Sequence, residues 1–369
     1  MQKLKNLYHF FNALFWTIFY GFPARKMTVI GVTGTDGKTT TVSLIYTILQ
    51  EAGIKCAMIS TNGAEINGKQ VFATLHTTTP SSKAIQQFLQ QANKENCKYC
   101  VIEVSSHAIN QNRIVGCNFK IGILTNITHE HLDYHGSLDE YRRVKMSFMK
   151  KCPQQIYIED RKLSLEMINT LKKRGIDQEF NLENAKLAVA TAQLIGISET
   201  NIIKGLSVFN LPVGRFEFIN KGQPFNVIID FALTPNAFKV LLPEVKKITK
   251  GKLIHVFGAA GDRDQTKRPI LGEIAEQYDD IIILTCDDTH TEKLETIIAM
   301  IKKGIKKGNC LVELDRKQAI EKAISLAKKG DTVLITGMGH QITININEKE
   351  IPWNDRQVTE EILTKYGYK

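Results

Sequence analysis

The chain has 369 residues, 43% hydrophobic and 23% charged, an ordinary soluble composition with room for two or three domains. Seven cysteines, an odd number scattered through the sequence, argue against a disulfide framework and for a reducing cytoplasm. The net charge of +10 sits in lysine runs of the solvated-helix kind without a basic and aromatic stripe, so no nucleic acid is expected as a partner and anionic small molecules are.

Residues 6 to 24, "NLYHFFNALFWTIFYGFPA", contain no Asp, Glu, Lys or Arg and are flanked by Lys3, Lys5, Arg25 and Lys26. No small-x-small cleavage site follows, and Asn12, Gly21 and Pro23 interrupt a stretch barely long enough to span a bilayer. Gln2, Lys5, His9 and Asn12 fall at helical spacing as a narrow polar stripe. Two readings stand side by side: a helix lying in a membrane interface with Trp16 and Tyr20 at headgroup depth, or a helix packed on its own domain or a partner.

From Met27 onward short apolar runs alternate with amphipathic stretches, the pattern of βα units and a mostly parallel sheet. "MTVIGVTG", "KCAMIST", "YCVIEVSS" and "FKIGILTNIT" read as buried strands, and "TTTVSLIYTILQEAG" as a helix. Cys97 and Cys100 form a lone C-x-x-C that reads as strand burial rather than a zinc site. Two helical stretches, "NLENAKLAVATAQLIG" and "SETNIIKGLSVF", precede "NLPVGRFEF". The alternation then restarts with "NVIIDFA", "KLIHVFGAAG", "DIIILTCDD", "CLVELD" and "DTVLITGMG". The expected organisation is a terminal helix over 1–26, an α/β domain over 27–212 and a second over 213–369, with Pro212 to Gly214 as the hinge.

Three stretches carry chemistry. "GVTGTDGKTTT", residues 31 to 41, has glycines at 31, 34 and 37, not the spacing of the common G-x-x-x-x-G-K loop. Between a buried strand and a helix it still offers backbone N–H groups to phosphate, Lys38 to the terminal phosphates and the Thr39 hydroxyl to Mg²⁺. Asp36 is expected to point outward and cap the helix. Glu103 ends a buried strand, where a lone carboxylate calls for a cation or donors. His129, Glu130, His131, Asp133 and His135 crowd the end of another strand, and metal ligation is the natural reading of that density.

These motifs, with "HTTTP" (76–80), "EVSSHAINQNR" (103–113), "TNITHEHLDYHG" (125–136), "YRRVK" (141–145), "GRFE" (214–217), "DFALTP" (230–235), "GAAGDRDQTKRP" (258–269) and "GMGHQ" (337–341), resemble in order those of the Mur ligase family. The branch they resemble most adds the third residue of the peptidoglycan stem. The resemblance implies a central P-loop ATPase domain with a mostly parallel sheet, followed by a Rossmann-like α/β domain. It implies ATP-dependent amide formation in the cytoplasm by a monomer, through an acyl phosphate, between a muramoyl peptide and an amino acid. ATP would be held by Gly34, Thr35, Asp36, Gly37, Lys38, Thr39 and Thr40, with Asn181 and Asn184 on the adenine side and Arg215 and Asp230 from the second domain. Two Mg²⁺ ions are implied, on Thr39, Glu103, His131 and Lys145, the last carboxylated by CO₂ to a carbamate; Lys38, His131 and Lys145 would be catalytic. Thr78, Thr79, Ser105, Gln111 and Arg113 match acceptor positions. Arg263, Asp287, Asp288, His290, Gly337 and Gln341 match the amino-acid side. These positions fall in both domains, so the resemblance implies domain closure during catalysis.

Departures cluster where specificity is set. Members that use diaminopimelate carry D-N-P-R and G-K-G-H-E; here the stretches are "DDTH" and "GMGHQ", which removes a guanidinium fork and a carboxylate together. That argues for lysine or another amino acid. "FALTPN" replaces Y-A-H-T-P-D, and Met27 already starts the ATPase strand where family members first have a uridine-binding domain. The expectation drawn from this is an acceptor held by its muramoyl or peptide part, presented near the terminal helix at the inner membrane face. A related amide ligase of the folylpolyglutamate or cyanophycin type, and a non-catalytic ATP-binding module at a membrane complex, are the alternative readings.

Overall fold

The computed structural model describes residues 2–72, 78–159 and 162–369, without the side chains of residues 2–5 and 72. His76 and Thr77 of the "HTTTP" motif lie outside the described residues, as do the side chains of Gln2 and Lys5 in the expected polar stripe. The chain divides into two compact units, 1–128 with 135–210, and 129–134 with 211–369.

In the first unit, helix α1 (Gln2–Phe19) precedes a seven-stranded sheet. Its strands are β1 (Thr28–Thr33), β2 (Cys56–Ser60), β3 (Gly63–Ile66), β4 (Lys69–Phe72), β5 (Tyr99–Glu103), β6 (Phe119–Leu124) and β7 (Gln154–Ile156), in the order β4-β3-β2-β5-β1-β6-β7. β1 is the axis. It pairs in parallel with β5 on one side and β6 on the other, and only the β2–β3–β4 edge is antiparallel. The near-continuous apolar runs of β1, β2 and β5 follow from burial on both faces. Helix α2 (Lys38–Glu51) crosses from β1 to β2 with Val42, Leu44, Ile45, Ile48 and Leu49 fully buried, each contributing about 1.5–3 kcal/mol by burial. Helices α3 (Ser82–Lys94), α4 (Ser106–Asn110), α5 (Leu132–His135), α6 (Leu138–Met149), α7 (Leu165–Lys173) and α8 (Glu179–Leu194) follow. The carboxyl ends of β1, β5 and β6 lie side by side, so the residues that leave them share one rim of the sheet.

The second unit holds β8 (Glu217–Phe218), β9 (Asn226–Asp230), β10 (Leu253–Phe257), β11 (Ile281–Leu284), β12 (Cys310–Val312) and β13 (Thr332–Thr336), in the order β12-β11-β10-β13-β9-β8, all parallel except β8. A hairpin of β14 (Thr343–Ile346) and β15 (Lys349–Pro352) follows. Two buried ionisable groups inside this core are paired. His255 on β10 bonds Asp279 Oδ2 at 2.7 Å and Thr336 Oγ1 at 2.9 Å. Arg316 forks onto Asp355 at 2.8 and 2.7 Å, the bidentate geometry that makes such a buried pair tolerable.

The terminal helix packs on its own unit, as one of the two expected readings has it. It packs on its own unit through Ala13 and Thr17, which are buried, while Leu7, Phe11, Phe15 and Phe19 are exposed. Trp16 and Tyr20, expected at headgroup depth, are instead half-buried, and the Lys83 ammonium stands 4.8 Å over the Trp16 ring.

Candidate active site

The loop after β1 is held open by its glycines. Gly37 has φ 81° and a β-carbon there would overlap Asn184 Oδ1 from α8; Gly34 has φ 150° and one there would overlap Thr125 Oγ1 after β6. Only glycine meets both demands. Asp36 does not cap α2: Gly37 is the N-cap, no side chain caps the helix, and the Asp36 N–H donates to Asn126 Oδ1 at 2.9 Å. The sharp left-handed turn at Gly37 leaves Asp36 one position too early for the capping geometry.

Beneath the loop, Glu103 is 2% exposed. Its Oε2 accepts from Thr39 Oγ1 at 3.0 Å and from the backbone N–H and hydroxyl of Thr61 at 2.9 and 3.0 Å, and its Oε1 lies 4.0 Å from Lys38 Nζ. Lys38 donates to Thr35 O at 2.7 Å. Thr39, Glu103 and Lys38 are thus gathered as expected, and Thr40 is buried in the same turn. Thr61 was not anticipated, although it follows the β2 run, where an open α/β sheet presents its functional ends.

Lys145, on α6, is buried and donates to Gly34 O at 2.7 Å. Burial and then the neighbouring Lys38 charge hold its pKa well below the ordinary lysine value. Its ammonium nitrogen lies 4.7 Å from the Tyr141 ring, and the Tyr141 hydroxyl meets Thr35 Oγ1 at 3.1 Å. Tyr141 therefore ties the lysine helix to the glycine loop, a second contact the sequence had not singled out.

A further cluster forms behind β5. Thr79 Oγ1 donates to Glu103 O at 2.9 Å and accepts from the Ser105 N–H at 2.9 Å. Arg113 donates to Thr79 O at 3.1 Å and to Gln111 Oε1 at 2.8 Å. Four of the five expected acceptor residues therefore touch, with Thr78 next in sequence. On α8, Asn184 accepts from Thr41 Oγ1 at 3.3 Å, and Asn181 is buried and donates to Gln178.

The side chains of the dense stretch 129–135 take separate partners. Among the described residues no three His, Cys, Asp or Glu side chains form a metal-holding group. The stretch is divided: within the second unit His129 pairs with Asp264 at 3.3 Å and Glu130 with Lys267 at 3.2 Å, whereas His135 in the first unit bonds Ser106 Oγ at 3.0 Å. Side chains close in sequence diverge because the backbone turns left-handed at His131, φ 56°.

In the second unit Asp230 Oδ2 accepts the Phe216 N–H at 2.7 Å, and Arg215 stacks 4.7 Å over the Phe231 ring. Phe231 also meets His340 edge to face at 4.6 Å. Burial, then the Arg215 charge, push the His340 pKa down to about 3, so it is neutral. Asp287 is buried, and burial raises its carboxyl pKa to about 6, against the opposing pull of Arg316. A β-carbon on Gly337 would overlap Asp287 Oδ2, so those two expected positions are adjacent. Asp288 Oδ1 accepts the Asn345 N–H at 2.7 Å, and His290, φ 49°, donates its N–H to Asn345 O at 3.3 Å. The Gln341 N–H donates to Met338 O at 2.9 Å, while Arg263 is exposed.

The first unit's rim thus presents the backbone amides of a glycine loop, a lysine, and hard oxygen donors. Comparison with known proteins agrees with that chemistry. The family model for the Mur ligase middle domain matches residues 32–219, and that for the Mur ligase glutamate ligase domain matches 214–339. The chain is 36% identical to the UDP-N-acetylmuramoyl-L-alanyl-D-glutamate–2,6-diaminopimelate ligase of Caldanaerobacter subterraneus subsp. tengcongensis, over 94% of this chain and 80% of that one. A solved structure of a ligase of the same name superposes with a TM-score of 0.56 at 26% identity, covering 93% and 79% of the two chains. The E. coli FolC structure with DHPP and ADP shares the fold, with a TM-score of 0.65 at 18% identity over 94% of this chain and 92% of that one.

Proposed function

The chain belongs to the Mur ligase family, and from that premise we propose that it joins an amino acid to a muramoyl-peptide precursor of peptidoglycan, using ATP and passing through an acyl phosphate. The observation that carries this reading is the meeting of Lys38, Thr39 and Glu103 beneath a loop that only glycines can form.

Each step asks something of this chain's own residues. The loop amides and Lys38 hold the phosphates, so that an anionic carboxylate can approach an anionic γ-phosphate. Asn181, Asn184, Arg215 and Asp230 complete nucleotide binding in this reading. Thr39 Oγ1 and Glu103, both buried oxygen donors 3.0 Å apart, fit Mg²⁺. When bound there, the ion supplies charge neutralisation between the reacting anions. Thr78, Thr79, Ser105, Gln111 and Arg113 orient the acceptor. His131 and a carbamate on Lys145 are the further metal ligands in this reading. Carbamate formation needs a neutral amine to attack CO₂, releasing one proton, and the depressed Lys145 pKa supports that. The enzyme acts in the cytoplasm as a monomer.

On the amino-acid side, Arg263 takes the α-carboxylate and Asp287, Asp288, His290, Gly337 and Gln341 surround the side chain. The relatives are named for diaminopimelate, but here Asp288 is occupied by the Asn345 N–H and Gln341 brings no charge. Lysine is the first candidate substrate. The test is phosphate release from ATP by the full chain with a muramoyl-dipeptide nucleotide, amino acids added singly. Release stimulated by lysine above diaminopimelate is expected; release that no amino acid stimulates would overturn the ligase reading.

A further inference from the structure

Helix α1 carries a surface that the ligase reading does not use. Its docked side is narrow and small. Ala13 and Thr17 are buried, Thr17 Oγ1 donates to Val115 O at 3.3 Å, and Asn112 Nδ2 donates to Asn6 O at 3.2 Å. A β-carbon on Gly116 would overlap Thr17, so the helix lies tight against the 112–116 loop. On the opposite side Leu7, Tyr8, Phe11, Phe15, Ile18 and Phe19 are 56% to 66% exposed. At 3.6 residues per turn these six occupy roughly a third of the circumference, centred opposite Ala13. Domain packing thus holds the helix with its bulkiest apolar face outward.

We propose that this face docks on an anionic lipid surface, with the helix lying in the plane of the interface. Among the described residues no helix is long and apolar enough to cross a membrane, which leaves lying on the surface as the geometry for such a face. Charge selects the occupant. Lys3 and Lys5 at the start of the helix and Arg25 and Lys26 after it flank its apolar stretch, and the first acidic residue of the chain is Asp36. A cationic frame around aromatic side chains is complementary to anionic headgroups over acyl chains. A second copy of the chain would be opposed, because antiparallel pairing of two such helices sets cations against cations at both ends. The 112–116 loop on which α1 rests is interleaved with Gln111 and Arg113, so docking would bring the expected acceptor residues close to the lipid surface. The docking itself is independent of the ligase reading.

The experiment is co-sedimentation of the full chain with vesicles of phosphatidylcholine alone, or mixed equally with phosphatidylglycerol. Wild type is expected to bind the mixed vesicles, less so as salt rises. Phe11→Glu with Phe15→Glu should lower the partition coefficient by about tenfold or more. Arg25→Gln with Lys26→Gln should weaken binding to mixed vesicles only. All four replaced side chains are exposed, and unchanged thermal unfolding midpoints check that the variants fold. Partitioning that the glutamate pair leaves unaltered would overturn the proposal. So would a failure to bind vesicles accompanied by a dimer, seen by sedimentation equilibrium, that the same pair dissociates.

Discussion

Asn184 stands against Gly37 so closely that its Oδ1 occupies the space a β-carbon on the glycine would need. A helix from late in the first unit therefore fixes the shape of the phosphate loop. Gly37→Ala meets two penalties at once, the positive φ of 81° and this overlap. The backbone part alone costs about 1–2 kcal/mol. ATP affinity, measured by calorimetry, should fall about tenfold or more. Adding Asn184→Ala should return only part of it, because the strained φ remains. Full recovery would mean that backbone conformation contributes nothing.

Lys145 offers a separation of stability from activity. A lysine whose folded pKa is depressed carries its proton in the unfolded chain but not in the folded one, between the two pKa values. The wild type therefore gains stability as pH rises through that window towards about 10.4. With CO₂ excluded, Lys145→Met should be the more stable protein at neutral pH, and its advantage should shrink towards pH 10. Urea unfolding at several pH values reads this directly, with a wild-type slope approaching about 1.4 kcal/mol per pH unit inside the window. Ligase turnover should fall by about a hundredfold or more. A variant that keeps turnover without bicarbonate would exclude the carbamate.

The sign is the opposite at Asp287. Its folded pKa, about 6, is raised by burial, so its stabilising contribution is complete below the unfolded value of about 3.9 and is lost as pH rises through 6. Asp287→Asn keeps an acceptor for the Asp288 N–H, 2.7 Å from Oδ1, and removes the buried charge. Its stability relative to wild type should climb between pH 4 and 6 and level off above, by about 3 kcal/mol in total. Denaturant midpoints at pH 4 and pH 8 that differ by the same amount in both proteins would contradict the assignment.

Most strands were legible because their apolar runs are continuous, most of them buried on both faces: β1, β2, β5, β6 and β9 to β13 all fall within the runs read from the sequence. The β3–β4 and β14–β15 hairpins, β7 and β8 were not. They are two to four residues long, and their exposed or mixed positions leave no sustained pattern. Glu103 was legible for the converse reason, since a carboxylate ending an apolar strand needs partners. Which partners it finds was not, because Thr61 reaches it from the turn after another strand, 42 residues away. The separate partners of the histidines in 129–135 were not legible, because density in sequence says nothing about direction once one residue adopts left-handed backbone.

The hairpin of β14 and β15 holds the "DDTH" stretch chiefly through peptide groups. The N–H groups of Thr289 and His290 both reach Asn345 O, and the Glu348 N–H reaches His290 O. The path of the chain at 289 and 290 is thereby secured without spending the His290 side chain on it. A position built this way can exchange its side chain while the loop keeps its course. In the reading proposed above, substrate preference in this ligase can drift by substitution at one residue, with the framework around it left standing.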